Sequence, residues 1–284
     1  MITVTGATGM LGRLVIDALL KERPAPEIVA AVRSPDKARD LKALGVQVRQ
    51  ADYNNTVTLK KAFDGTEKLL LISSSEVGQR ARQHRAVIAA ANDADVGLVA
   101  YTSMLHADTS PLALAAEHVE TETALRDSGL PFVILRHGWY MENHTAGIPA
   151  VLEHGTLLGC VGDGRVSAAT RADLAAADAA ALLLEDQAGR VYELAGDESY
   201  TMTELAEEIT KQSGKKVIYK DMPEAEYRKV LMEAGLPGGL AVLLANSDAG
   251  ASKGGLFDDS RQLSQLIGRP TTTLKDAVAA ALKS

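Results

Sequence analysis

The sequence predicts an α/β fold: a doubly wound parallel sheet with a smaller, mostly helical C-terminal lobe. Three observations carry that prediction. Short β-branched runs alternate with amphipathic helical stretches through the first half of the chain, the pattern of successive βαβ units. Several of those runs are almost wholly apolar, Leu69-Leu70-Leu71-Ile72 among them, as in strands buried on both faces of a parallel sheet. A glycine-rich turn, Thr5–Gly12, joins the first strand to the first helix.

Taken in order, the strands are expected at 2–5, 28–32, 46–49, 68–72, 97–102 and 132–136, with helices at 10–21, 35–44, 57–63, 79–92 and 113–128. Right-handed crossovers between parallel strands then give helices on both faces. From about Trp139 the rhythm breaks and glycines multiply: Gly147, Gly155, Gly159, Gly162 and Gly164. A long helix is expected at 171–185, with Thr170 and Asp173 at capping-box spacing, and a strand at 190–195. Thr201 and Glu204 repeat that spacing before another helix. No proline- or serine-rich tether separates the parts. The chain therefore divides into residues 1–138, a nucleotide-binding domain, and 139–284, a sheet extension with a lobe packed on it.

Composition narrows the function. The 284 residues are 46% hydrophobic and 24% charged, enough to bury a core without covalent staples. The net charge of −7 and the lack of a long basic run argue against nucleic acid as a partner, which needs a cationic footprint. No apolar run is long enough to span a bilayer. Met1–Thr5 enters a strand with no basic or apolar leader pattern. The single cysteine, Cys160, excludes an intrachain disulfide and reads as a small, inert apolar residue in a reducing compartment. A cytoplasmic protein is expected, with a homo-oligomer left open.

The turn reads Thr5-Gly6-Ala7-Thr8-Gly9-Met10-Leu11-Gly12. Strand before and helix after are the context that gives such a glycine pattern meaning. Gly6 turns the chain off the strand, Gly9 admits a pyrophosphate, and Gly12 lets the helix pack closely on the sheet. Free N–H groups at the helix start then face the phosphates. This is a Rossmann-type cofactor site, with Gly6, Ala7, Thr8, Gly9, Met10, Leu11 and Gly12 as its cradle.

The second strand ends Ala31-Val32-Arg33-Ser34. It lacks the carboxylate that binds ribose hydroxyls in NAD-selective folds. Arg33 suits a 2′-phosphate instead, with Lys37 as a second positive charge, so NADPH is the expected cofactor. Ser73, Ser74 and Ser75 follow the fourth strand, where ribose and nicotinamide should lie; serines there also form ordinary turns. Asp52 is either a partner for the adenine amino group or a plain turn residue.

Five stretches carry a resemblance: Thr5–Gly12 with Arg33, Leu69–Gln79, Tyr101–Pro111, Leu135–Asn143 and Gly250–Ser260. Together they resemble the NmrA-like atypical short-chain dehydrogenase/reductases, and within these the bacterial NAD(P)H:quinone oxidoreductases of type 2. Triphenylmethane reductase is a more distant match through the turn and the arginine. The resemblance runs over essentially the whole chain and implies NADPH-dependent reduction of quinones without a flavin. It also implies that His137, Gly138, Trp139, Tyr140, Met141, Glu142 and Asn143 line the nicotinamide pocket. For Trp139 a core role stays equally open.

Short-chain dehydrogenases use Tyr-x-x-x-Lys for proton transfer. The resemblance implies that Leu114 and His118 hold those places here, and leucine transfers no proton. Quinones suit such a site, because hydride addition gives a weakly basic hydroquinone anion that water can protonate. Tyr140 and Asn143 are then the candidate donors to a carbonyl oxygen, and His118 an orienting group or a plain polar contact on its helix. His106, His144 and His154 read as loop or surface residues, Asp108 and Glu122 as solvated charges. No metal-ligand spacing is present. The stretch 250–255 reads as a connecting loop, with a lid as the alternative. Two other functions stay open: an NADP(H)-sensing regulator with little turnover, and a reductase of dyes or enones.

Overall fold

In a computed structural model the protein is described over residues 1–283. Its first half runs β1 (Ile2–Thr5), α1 (Met10–Leu19), β2 (Ile28–Val32), α2 (Arg39–Ala43), β3 (Gln47–Gln50), α3 (Thr56–Ala62), β4 (Lys68–Leu71), α4 (Arg80–Asp93), β5 (Leu98–Met104), α5 (Ala115–Asp127) and β6 (Phe132–His137). Then follow α6 (Met141–Thr145), α7 (Ile148–His154), β7 (Thr156–Gly159), α8 (Arg171–Leu183), β8 (Val191–Leu194), α9 (Met202–Ser213), β9 (Ile218–Asp221) and α10 (Glu224–Glu233). The chain ends with α11 (Gly238–Ala251), α12 (Gln262–Ile267) and α13 (Leu274–Ala281).

A seven-stranded sheet has the order β3-β2-β1-β4-β5-β6-β8. The pairings from β3 through β6 are parallel, with Ile2 opposite Ile28 on one side and Lys68 on the other. Strand order reverses between β1 and β4, and a parallel sheet opens its ligand crevice at the carboxyl ends beside such a reversal. β2 and β5 are buried along their whole length; β2 is wholly apolar, whereas β5 also buries Tyr101, Thr102 and Ser103. Leu69, Leu71, Val99 and Tyr101 meet Leu59 of α3, its C-cap Phe63, Val87 of α4 and Leu125 of α5 in one core cluster. Because side chains alternate along a strand, Leu70 and Ala100 serve the other face. Helices α1 and α8 pack on each other. Ala175, Ala177, Ala179 and Ala181 of α8 are buried, and the helix also contacts β4, β5 and β6.

Contacts divide the chain into two compact units. One comprises Met1–Met104, Glu117–His137 and Arg171–Tyr192; the other comprises Leu105–Ala116, Gly138–Thr170 and Glu193–Ser284. The units are not continuous in sequence: α8 folds with the N-terminal strands, and Leu105–Ala116 belongs to the second unit. In the second unit β7 and β9 pair with each other in a separate parallel ladder. These strands carry no alternation strong enough to be read from sequence.

Two local differences have clear causes. The helix expected at 35–44 is a 3-10 turn, Pro35–Ala38, followed by α2, because Ala38 leaves helical geometry (φ −114°, ψ 22°). The 250–255 stretch is only partly a loop: Gly250 lies within α11. A Cβ on Gly250 or on Gly255 would come within 2.6 Å of Leu112 Cδ1. Those glycines permit close packing against Leu112. The capping box at Thr201 and Glu204 is formed in both directions.

Candidate functional site

In the first unit the turn after β1 has the geometry its glycines suggest. Gly6 is left-handed (φ 60°), a conformation that favours glycine. Gly9 N–H donates to Gly6 O at 2.9 Å and closes the turn. At Gly12 a Cβ would stand 2.5 Å from Gly6 O and 2.8 Å from Ala7 Cα, so only glycine lets α1 lie this near the turn. The N-cap of α1 is Gly9, which has no side chain to cap the helix, and the first turn holds no acidic residue. That leaves an uncapped, positive helix end beside the exposed glycines Gly6 and Gly9. The cradle fits a dinucleotide diphosphate.

Arg33 emerges from β2 with its side chain 68% exposed, and its Nη1 donates to Glu76 Oε1 at 2.9 Å. Lys37 sits in the 3-10 turn, where its carbonyl accepts from Arg13 Nη2. Asp52 accepts from Asn54 N–H at 2.9 Å, a turn contact.

Ser73, Ser74 and Ser75 begin a loop fastened at many points. Ser73 N–H donates to Thr102 Oγ1 and Ser74 N–H to His84 Nε2, each at 2.9 Å. Arg80 Nε donates to Ser74 O at 2.7 Å, and Gly78 N–H donates to Glu117 Oε1 at 2.9 Å. Arg80 and Glu117 also pair with each other. Sequence reasoning missed His84, Arg80 and Glu117, because their partners lie across the fold. Burial pushes the His84 pKa down to about 3, with the Arg80 charge second. The ring is therefore neutral and accepts from Ser74.

His118 is buried, and its Nδ1 lies 2.8 Å from the Tyr101 hydroxyl on β5. Burial first, then the charge of Arg80, holds its pKa well below the ordinary value. Glu122 corrects the expectation of a solvated charge: it is 1% exposed. Ser103 Oγ donates to it at 2.6 Å, and Arg136 Nε and Nη2 donate to its two oxygens at 2.9 Å. Burial raises its pKa, but the bonds from Arg136 and Ser103 outweigh that and bring it below the usual carboxylate value.

The segment after β6 begins with His137, whose Nε2 meets Asp178 Oδ1 at 2.7 Å in a buried pair within the first unit. In the second unit, Ala169 bridges the segment's backbone: its N–H donates to Trp139 O at 3.0 Å, and its carbonyl accepts from Met141 N–H at 2.9 Å. Gly138 allows close backbone approach, since a Cβ there would meet Leu194 O at 3.1 Å. Trp139 and Tyr140 are half-buried, Met141 is buried, Glu142 is half-buried and Asn143 is exposed. The Trp139 indole N–H is buried without a hydrogen-bond partner among the described residues.

His144, expected at the surface, instead faces Tyr200, its Nδ1 2.7 Å from the hydroxyl; desolvation lowers its pKa to about 4. His106 has left-handed backbone (φ 50°) and its ring lies near Glu193 and Asp258. The Cys160 thiol is pushed up to about 12, first by burial and then by Asp248, which fits an inert role. Among the described residues, no group of His, Cys, Asp and Glu is placed to hold a metal, and no helix is long and apolar enough to cross a membrane.

Known proteins share this architecture. A family described as NAD(P)H-binding matches residues 6–185. Quinone oxidoreductase 2 of Escherichia coli is 59% identical over 279 residues, 98% of each chain. The crystal structure of an NADPH-dependent quinone oxidoreductase from Escherichia coli, complexed with NADPH, superposes with a TM-score of 0.98 at 58% identity, covering 99% of this chain and 100% of that one. Triphenylmethane reductase of Citrobacter sp., complexed with NADP(H), gives 0.96 at 39% identity, covering 99% and 100%. The sheet order, the glycine cradle and these matches agree: the chain belongs to the NAD(P)H-binding, NmrA-like family.

Proposed function

We propose that this protein is an NADPH-dependent oxidoreductase that reduces quinones without a flavin, acting in the cytoplasm. The observation that carries the reading is the cradle of Gly6, Gly9 and Gly12 at an uncapped helix start, beside an arginine where NAD-selective folds carry a carboxylate. The identity to quinone oxidoreductase 2 over nearly the full chain supports the choice of acceptor.

Bound NADPH supplies the hydride. In this reading Gly6–Gly12 bind the diphosphate, Arg33 the 2′-phosphate, and Ser73, Ser74 and Ser75 the nicotinamide ribose. The loop fastenings by His84, Arg80 and Glu117 preorganise those serines, so that little ordering is left for binding. His137, Gly138, Trp139, Tyr140, Met141, Glu142 and Asn143 are assigned to cofactor and substrate contacts. Tyr140 and Asn143 donate to the quinone oxygen on which charge develops, and His118 is an orienting residue acting through Tyr101. With Leu114 read, from the family resemblance, as standing at the place of the proton-donating tyrosine, positioning and electrostatics carry the rate.

The test is steady-state oxidation of NADPH by the purified full-length protein on adding a benzoquinone, with absorbance recorded for flavin. Continued turnover without flavin absorbance is expected. Stoichiometric binding with no turnover across a panel of quinones and dyes would instead identify a sensor.

A further inference from the structure

We propose that Glu76 sets how strongly the protein prefers NADPH over NADH, by competing with the 2′-phosphate for Arg33. This rests on the cofactor reading above and extends it to a residue outside the glycine cradle. The Glu76 carboxylate is gripped from two sides: Arg33 Nη1 donates to Oε1 at 2.9 Å, and Gln83 Nε2 donates to Oε2 at 2.8 Å. Gln83 is 2% exposed, so the amide holding Glu76 is itself fixed in the fold. The backbone N–H of Glu76 also donates to Ser74 Oγ at 3.1 Å, which ties the residue to the fastened loop. Glu76 is thus a positioned counter-ion and not a freely rotating surface acid.

The consequence is electrostatic. One carboxylate charge offsets part of the guanidinium charge, so Arg33 attracts an incoming phosphate dianion less strongly than an unpaired arginine would. That dianion must displace the carboxylate or share the guanidinium with it, and sharing places like charges side by side. NADH carries no 2′-phosphate and meets neither penalty. Arg33 therefore favours NADPH while Glu76 caps the preference and keeps NADH usable.

The experiment titrates NADPH and NADH into the wild type, Glu76→Gln, Arg33→Ala and the double variant, at low and high salt. Glu76→Gln keeps an oxygen for the Gln83 amide but removes the charge. NADPH should then bind about fivefold tighter while NADH changes less than about twofold, since half-exposed charges act weakly. The gain should shrink at high salt, and most of it should vanish in the Arg33→Ala background. Unchanged or weaker NADPH binding by Glu76→Gln would overturn the proposal, as would an equal gain without Arg33. A wild type that binds NADPH no better than NADH, with Arg33→Ala indistinguishable from it, would point instead to failure of the underlying cofactor reading.

Discussion

Glu122 and Arg136 form a side-on pair inside the first unit, with the arginine Nε and Nη2 each 2.9 Å from a different carboxylate oxygen. Neither side chain is more than 7% exposed. Arg136→Met leaves the carboxylate buried without its main partner and should lower unfolding free energy by about 3–5 kcal/mol. The double variant Glu122→Leu/Arg136→Met should recover most of that loss. Urea unfolding of the three proteins checks it; a double variant as unstable as the single would show that the pair itself, rather than an orphaned charge, carries the stability.

Gly12 is the tightest point of the cradle. Gly12→Ala drives a Cβ against Gly6 O and Ala7 Cα at 2.5 and 2.8 Å, both backbone atoms. Destabilisation of about 1–3 kcal/mol is expected, together with weaker NADPH binding. Gly239 in α11 has open space around the same position, so Gly239→Ala should be neutral or slightly stabilising. Thermal unfolding with and without NADPH compares them.

Arg33→Ala should weaken NADPH binding by about tenfold or more, the worth of hydrogen bonds to a charged group, and leave NADH nearly unchanged. Calorimetry with both nucleotides measures the ratio. Equal weakening of both would move Arg33 from phosphate recognition to general support of the fold.

Acid should destabilise the protein earlier than carboxylate titration alone would. His84 is lowered from 6.5 to about 3, and His118 is also held well below 6.5. Both are neutral when folded, whereas the unfolded chain takes up their protons below about pH 6.5. The unfolded state then binds more protons, so stability is full above that pH and falls as the pH drops toward 3. For His84 this amounts to up to about 1.4 kcal/mol per pH unit in that window, and His118 acts in the same direction. Urea midpoints at pH 7.5 and 5.5 should separate, and the gap should narrow in His84→Asn.

Tyr140→Phe and Asn143→Ala test the proposed donors. Each should lower kcat with benzoquinone, on the order of a hundredfold for a fully engaged donor, while the KM for NADPH stays near the wild-type value. A rise in NADPH KM with kcat unchanged would assign these side chains to cofactor binding alone.

The sheet was legible because βαβ rhythm is local. β2 at Ile28–Val32 coincides with the expected strand, and β8 joins the sheet as expected, beside β6. The cradle was legible for the same reason: glycine spacing and the flanking elements lie within a dozen residues. Glu122 was misread because it stands on a helix among charged neighbours, and only β5 and β6 bring Ser103 and Arg136 to it. His144 was misread likewise, since its partner Tyr200 is distant in sequence.

By itself the sequence determined the α/β class, the glycine turn after β1 and the position of the arginine that follows β2, because each depends on backbone preference and on residues close along the chain. Only the tertiary structure decided that α8 folds with the N-terminal strands, that Glu76 occupies Arg33, and that His84 holds Ser74. Those relationships are distances between side chains tens of residues apart, and such distances exist only once packing has fixed where each element lies.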